Sequence, residues 1–248
     1  MAQVSVYPDA GRLADAAAEY VASLAAQAVA ERGRFTLALS GGGTPRPVYE
    51  RLAAPALSAR IDWARTQLFF GDERCVPPDD PRSNYAMVKE ALLERAPVPA
   101  ANVHRIRGED DPERAARDYD ALLERLFGRS ADGSPAEGFD LVLLGMGENG
   151  HTASLFPGSA ALGEARRWAA AEHVAALDMW RITLTPALIN AARQVAFLVC
   201  GAGKAQMLAR VLEGPRQPAL LPAQIVQPAR GELRWMVDAP AAALLSRA

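Results

Sequence analysis

The chain has 248 residues, half of them hydrophobic, with 27 Lys and Arg against 29 Asp and Glu and a formal net charge of −2. That length and apolar share can build one sizeable core, and residues 1–248 read as a single α/β domain. No basic block or acidic tail is present, which argues against a nucleic-acid binder, so a ligand must be recognised by a local group of residues.

The opening stretch, MAQVSVYPDA, lacks a basic region followed by an apolar run. The apolar segment Ala16 to Ala30 is broken by Glu19 and Gln27 and is too short to span a bilayer. Together with only two cysteines and no CxxC pair, this sets the expectation of a reduced, cytoplasmic compartment with no membrane partner. Asp9 can cap a helix running to about Arg32, with Gly33 beyond its end. Phe35–Leu39 reads as a buried strand that breaks at Ser40-Gly-Gly-Gly-Thr-Pro45, with a short helix from Arg46. Gln67–Phe70 is a second buried strand, ending in Gly71-Asp-Glu-Arg74. Pro77, Pro78 and Pro81 keep the next stretch irregular until Ser83 caps a helix to about Arg95. Asp111-Pro112-Glu113 opens another helix, which Gly128 closes.

Phe139–Leu144 is a strand ending in Gly145-Met-Gly-Glu-Asn-Gly-His151, and the helix that could follow is limited by Pro157-Gly158 to Thr152–Phe156. Arg181–Leu184 is a short strand, and Thr185-Pro186 opens a helix. Gln194–Cys200 is a strand whose end, Gly201-Ala-Gly-Lys204, opens a helix closed by Gly214. Leu233–Val237 is the last strand and Ala239–Leu245 the last helix. Continuous apolar strands separated by helices predict a mostly parallel, Rossmann-like sheet covered on both faces. Ligands in such sheets bind outside the carboxyl ends of the strands. The unusual loops follow Leu39, Phe70, Leu144 and Cys200, so the pattern places them on one rim.

Ser40, Gly41, Gly42, Gly43 and Thr44 lie between a strand and a helix start. Consecutive glycines can bring backbone N–H groups close to an anion, and the helix dipole adds positive potential. The loop lacks the Gly-Lys-Ser/Thr of a Walker A motif, and Arg46 stands where a dinucleotide fingerprint needs its third glycine. A simple phosphate therefore fits better than a nucleotide. Arg74, Arg181 and Lys204 each sit beside a strand end and are the candidate cations for it.

Gly145-Met-Gly147-Glu-Asn-Gly150 also matches G-x-G-x-x-G, but well past the first strand and without room for a full crossover helix. His151 gives the segment a different meaning. A neutral imidazole exposed on the rim can take a proton from water, and nearby N–H groups can stabilise an oxyanion. General-base help of typically ~10²–10⁴-fold suits an already activated carbonyl such as a lactone. Ser154 lacks the G-x-S-x-G elbow, Cys75 has no histidine near it in sequence, and Cys200 ends a buried strand and reads as core. His104 and His173 read as structural, and three scattered histidines give no local support for a metal. Of Asp72 and Glu73, one can bind substrate hydroxyls and either can serve as a cap or ion pair.

Taken in order, Ser40–Pro45, Gly71–Arg74 with Ser83-Asn84-Tyr85, Gly145–Gly158, Arg181–Leu184 and Gly201–Lys204 closely resemble the 6-phosphogluconolactonases over nearly the whole chain. The resemblance implies the fold shared with glucosamine-6-phosphate isomerases, and hydrolysis of 6-phospho-glucono-1,5-lactone in the pentose phosphate pathway without metal or organic cofactor. It implies that His151 activates water while Gly41–Thr44, Arg74, Arg181 and Lys204 hold the substrate. One departure stands out: the family usually has Asp two residues before the histidine, where this chain has Asn149. An amide can orient the imidazole but supplies no negative charge. The isomerase-deaminase alternative resembles the chain at the Gly-rich loop, but needs an acidic residue after the histidine that Thr152–Pro157 does not provide. A non-catalytic sugar-phosphate sensor is the other alternative, and Asn149 is what favours it. The expected partner is a small sugar phosphate, and the chain is expected to be a monomer or a weak homo-oligomer.

Overall fold

The structure, a computed structural model, describes residues 3–246. In chain order its elements are β1 (Gln3–Tyr7), α1 (Ala10–Arg32), β2 (Phe35–Leu39), α2 (Arg46–Ala53), α3 (Pro55–Ser58), β3 (Thr66–Phe70), β4 (Asp72–Arg74), α4 (Asn84–Val88), β5 (Val103–His104) and α5 (Pro112–Phe127). They continue with β6 (Leu141–Leu144), β7 (Ala169–Val174), β8 (Met179–Leu184), α6 (Pro186–Ile189), β9 (Gln194–Val199), α7 (Ala205–Glu213), β10 (Glu232–Asp238) and α8 (Ala239–Ala242).

Seven strands form one sheet in the order β1-β10-β9-β6-β2-β3-β5, and every pair in it is parallel. Every residue of β2 and β6 is buried, as continuous apolar runs require when helices cover both faces. From β2 the chain steps outward to β3 and β5, whereas from β6 it steps the other way to β9 and β10. The order therefore reverses between β2 and β6, and the crevice beyond their carboxyl ends is the natural ligand position. The glycine loop and the histidine loop leave these two neighbouring strands.

The ends of α1 follow from its sequence. Asp9 accepts from the Arg12 backbone N–H at 2.8 Å, and Gly33 closes the helix at φ 77°. Its buried face is mostly alanine (Ala14, Ala17, Ala18, Ala22, Ala25, Ala28), which lets it lie close against the sheet.

The start of β6 is fixed by a buried carboxylate. Asp140 accepts from Thr36 N at 2.8 Å, Thr36 Oγ1 at 2.9 Å and Arg32 Nε at 3.0 Å. Asp140→Ala strands the Thr36 N–H and an arginine together. We expect it to cost about 2–4 kcal/mol, read as a lower urea midpoint at unchanged m-value.

A second sheet, β4-β8-β7, is antiparallel and was not expected from the sequence beyond the Arg181–Leu184 segment. Its β4 is three charged residues and its β7 is rich in alanine, so neither carries a strand-like apolar pattern. Gly71 joins the two sheets: its N–H donates to Leu39 O and its carbonyl accepts from Leu184 N, both at 2.8 Å. The edge strand β1 and the two-residue β5 were also not expected.

Other boundaries shift. The helix after Ser83 runs as α4 and then a wider π turn over Lys89–Leu93, and α8 stops at Ala242 rather than Leu245. Residues Thr152–Phe156 form no helix. Thr152 bridges to Leu155 in a tight turn, with Ala153 at φ 47°. Among the described residues, no helix is long and apolar enough to cross a membrane, and no three His, Cys, Asp or Glu side chains group as a metal site.

Candidate active site

A cavity of about 280 Å³ lies beyond the carboxyl ends of β2, β6 and β9. Ser40–Pro45, Asp72, Arg74, Gly145–Gly147, His151, Arg181 and Lys204 all line it. Residues 164 positions apart in sequence thus meet in one crevice.

The glycine loop is anchored at its base by Tyr49 of α2. Its hydroxyl accepts from Ser40 N at 2.9 Å and donates to Ser40 O at 2.8 Å. The three glycines do different things. Gly42 alone takes positive φ, at 98°. Gly41 is glycine because Asn84 packs against it: an added Cβ would lie 1.8 Å from Asn84 Oδ1. At Gly43 an added Cβ meets nothing within 4 Å and φ is not positive, so neither space nor backbone conformation demands glycine there. The loop runs directly into α2, whose first turn carries the positive end of the helix dipole.

The small sheet supplies the charges. Arg74 and Arg181 are register partners across β4 and β8, so their guanidinium groups emerge together. Both have a buried Nε with no hydrogen-bond partner. Arg74 Nη1 donates to Arg82 O, and Arg181 Nη1 lies 3.8 Å from Asp72 Oδ2. Burial, then the neighbouring Arg74 charge, lowers the pKa of Arg181 from its ordinary value. Two crowded guanidinium groups with unmatched N–H donors form a site that an anion relieves. Lys204 faces them from the turn Ala202–Lys204 at the head of α7. That turn is held by Asp238, which accepts from Gly201 N at 2.9 and 3.0 Å.

Of the two neighbouring acids, Asp72 faces the cavity and Glu73 does not. Glu73 accepts from Arg74 N, Asn84 N, Tyr85 N and Ser83 Oγ at 2.7–3.0 Å, tying β4 to α4. Burial raises its pKa against the pull of those N–H groups. Asp72 is held by two side chains that local sequence does not connect to it. Asn84 Nδ2 donates to its Oδ1 at 3.0 Å, and Ser154 Oγ to its Oδ2 at 2.6 Å. Sequence alone offers Ser154 only as a nucleophile. Its hydroxyl is fully buried and turned to Asp72, 82 residues away.

His151 is half-buried, with its ring stacked on Phe156 at a centroid distance of 4.3 Å. Gly147 makes this possible, since a Cβ there would lie 2.1 Å from ring atoms Cε1 and Nδ1. His151 Nδ1 is 2.6 Å from Asn149 Oδ1, which also accepts from His151 N at 3.2 Å. A backbone N–H can only donate, so the amide presents oxygen, and Nδ1 must carry the proton. Nε2 is then the free basic atom of a neutral ring. The His151 pKa is lowered to about 4, first by burial and then by Arg181, Lys204 and Arg74, with Asp72 opposing. Glu148 is not part of this pairing, as its carboxylate lies beside Gly203.

The remaining candidates lie apart or are inert. Burial pushes the Cys75 thiol up to about 11 and the Cys200 thiol up to about 12, so neither is a ready nucleophile. His104 stacks on Phe69 with Nε2 2.7 Å from Gln67 Oε1, and His173 packs by Trp180 and Asp178.

The family described as glucosamine-6-phosphate isomerases/6-phosphogluconolactonase matches residues 8–235. The 6-phosphogluconolactonase of Nostoc sp. is 40% identical over 244 residues, covering 98% of each chain. That of Synechocystis sp. is 41% identical over 237 residues, covering 95% of each. Among solved structures, the 6-phosphogluconolactonase of Trypanosoma brucei superposes with a TM-score of 0.89 at 29% identity, over 99% of each chain. A monomeric glucosamine-6-phosphate deaminase shares the fold, with a TM-score of 0.78 at 21% identity. With motif, topology and near-full-length identity in agreement, the chain belongs to the glucosamine-6-phosphate isomerase/6-phosphogluconolactonase family.

Proposed function

We propose that this chain hydrolyses 6-phospho-glucono-1,5-lactone to 6-phosphogluconate, with His151 as general base. The observation that carries the reading is a neutral imidazole with Nε2 free, in the same cavity as three cations and a glycine loop. Arg74, Arg181, Lys204 and the Gly41–Thr44 loop take the phosphate. Asp72, with Ser154 and Asn84 holding its oxygens, accepts from sugar hydroxyls and steadies Arg181.

In the chemical step His151 Nε2 takes a proton from a water whose oxygen attacks the lactone carbonyl carbon. The carbonyl oxygen becomes an oxyanion, stabilised by neighbouring N–H groups. Collapse of the tetrahedral intermediate breaks the ring C–O bond. The imidazolium returns its proton to the leaving ring oxygen, and the open-chain acid ionises. No covalent enzyme intermediate is needed, in keeping with the engaged Ser154 hydroxyl and the raised cysteine thiols.

The direct test is lactone consumption with the spontaneous reaction subtracted. A saturable, enzyme-proportional rate is expected, and a rate equal to the background refutes the assignment.

Asn149 sets the strength of the base. A carboxylate beside Nδ1 would stabilise the imidazolium and raise the His151 pKa, so the base becomes stronger. Asn149→Asp is therefore expected to move the acid limb of kcat/KM to higher pH by about one unit and to raise the plateau. Superimposable pH profiles for the two proteins would reject this role.

A further inference from the structure

We infer that the anion site and His151 form one electrostatic unit, in which an anion bound among Arg74, Arg181 and Lys204 makes His151 a stronger base. This rests on the function proposed above and assigns the substrate's phosphate a second duty, as activator of the base that attacks its own lactone.

The shared cavity is the ground for such coupling. The cavity is lined by three cations and, among the described residues, by one carboxylate, Asp72. Without a ligand it therefore carries a formal excess of positive charge. Protonating Nε2 adds another positive charge inside the same 280 Å³ space. The other face of the imidazole gives no relief, because Nδ1 donates to the neutral amide of Asn149 and the ring stacks on Phe156. Nor is Asp72 free to turn to the imidazolium, as Asn84 and Ser154 hold its two oxygens and Arg181 draws on its charge. Two other acids lie nearby, but Glu73 is engaged with α4 and Glu148 lies toward Gly203.

The direction of the His151 shift agrees: all three cations lower its basicity and only Asp72 raises it. A divalent anion among the cations cancels most of their field at Nε2. Opposing a nearby charge in this way moves a pKa by about one unit or more. The amide at Asn149 then has a functional sense, since a fixed carboxylate there would make the base strong whether or not phosphate is bound.

The test is an NMR pH titration of the His151 ring in the intact chain, in sodium sulfate and in sodium chloride of equal ionic strength. Sulfate is chosen because it stays divalent over the pH range used. The His151 midpoint is expected to rise by about one unit in sulfate. His104 and His173, outside the cavity, should stay unchanged and serve as internal controls. In an Arg74→Gln/Arg181→Gln double variant the chloride midpoint should already be higher and sulfate should add little. An equal His151 midpoint in both salts overturns the coupling, whether or not sulfate binds. A second arm uses unphosphorylated glucono-1,5-lactone, whose hydrolysis should be accelerated several-fold by added sulfate after subtraction of background; no acceleration counts against it. The titration does not depend on turnover, so a chain that fails to hydrolyse the phosphorylated lactone yet shows the shift would sink the functional assignment alone. A chain that hydrolyses it without the shift would sink the coupling alone.

Discussion

His151→Gln is expected to lower kcat for lactone hydrolysis by about 10²–10⁴-fold while changing KM only a few-fold. Glutamine keeps a polar side chain of similar reach but offers no basic nitrogen near neutral pH. The cations and the glycine loop stay in place, so phosphate binding should persist. The outcome is read by steady-state kinetics corrected for spontaneous hydrolysis. A variant that keeps the parent's kcat would remove His151 from the chemistry and return attention to Asp72. Parallel losses in kcat and thermal stability would instead point to a structural histidine.

Gly147→Ala is expected to be nearly as damaging, although the residue carries no functional group. The new methyl would sit 2.1 Å from Cε1 and Nδ1 of His151, far inside contact distance. Gly147 N also donates to His151 O at 2.8 Å, so the loop cannot simply swing away. The imidazole must leave its bond to Asn149, its stack on Phe156, or both. Displacing a catalytic group by about 1 Å costs on the order of 10²-fold, so kcat should fall by at least that much. Gly163→Ala, where an added Cβ meets nothing within 4 Å, is the matched control and should behave like the parent. If Gly147→Ala retains full activity, the orientation of the ring described here is not the one that matters.

Both variants concern features that differ in how far sequence reveals them. A buried apolar run followed by glycines, as in Phe35–Pro45, Leu141–His151 and Gln194–Lys204, reads directly as a parallel strand and a rim loop. These segments carry three of the seven strands of the large sheet and most of the cavity lining. The reasons behind single residues were less accessible. Gly41 and Gly147 look like turn glycines, yet each makes room for a side chain, Asn84 of α4 in one case and His151 of the same loop in the other. The Ser154–Asp72 contact spans 82 positions, and local pattern carries no trace of it. The antiparallel sheet was hidden for a related reason. Its first strand is Asp-Glu-Arg, stabilised by pairing and by the Glu73 contacts to α4 rather than by its own apolar side chains.

That small sheet has a further consequence for substrate choice. Arg74 and Arg181 sit opposite one another across β4 and β8, and Gly71 ties these strands to the end of β2. His151 hangs from β6, and its loop is closed by the Thr152 hydroxyl on Gly145 O at 2.8 Å. The cation pair and His151 are therefore mounted on two separate supports, each held by its own hydrogen bonds, like the jaws of a calliper. If the arginines hold the phosphate and His151 is the base, as proposed above, the gap between the two supports sets the carbon chain that fits between phosphate and lactone carbonyl. On that proposal length discrimination is built into the frame, and a compound one carbon too short is expected to satisfy either jaw but not both.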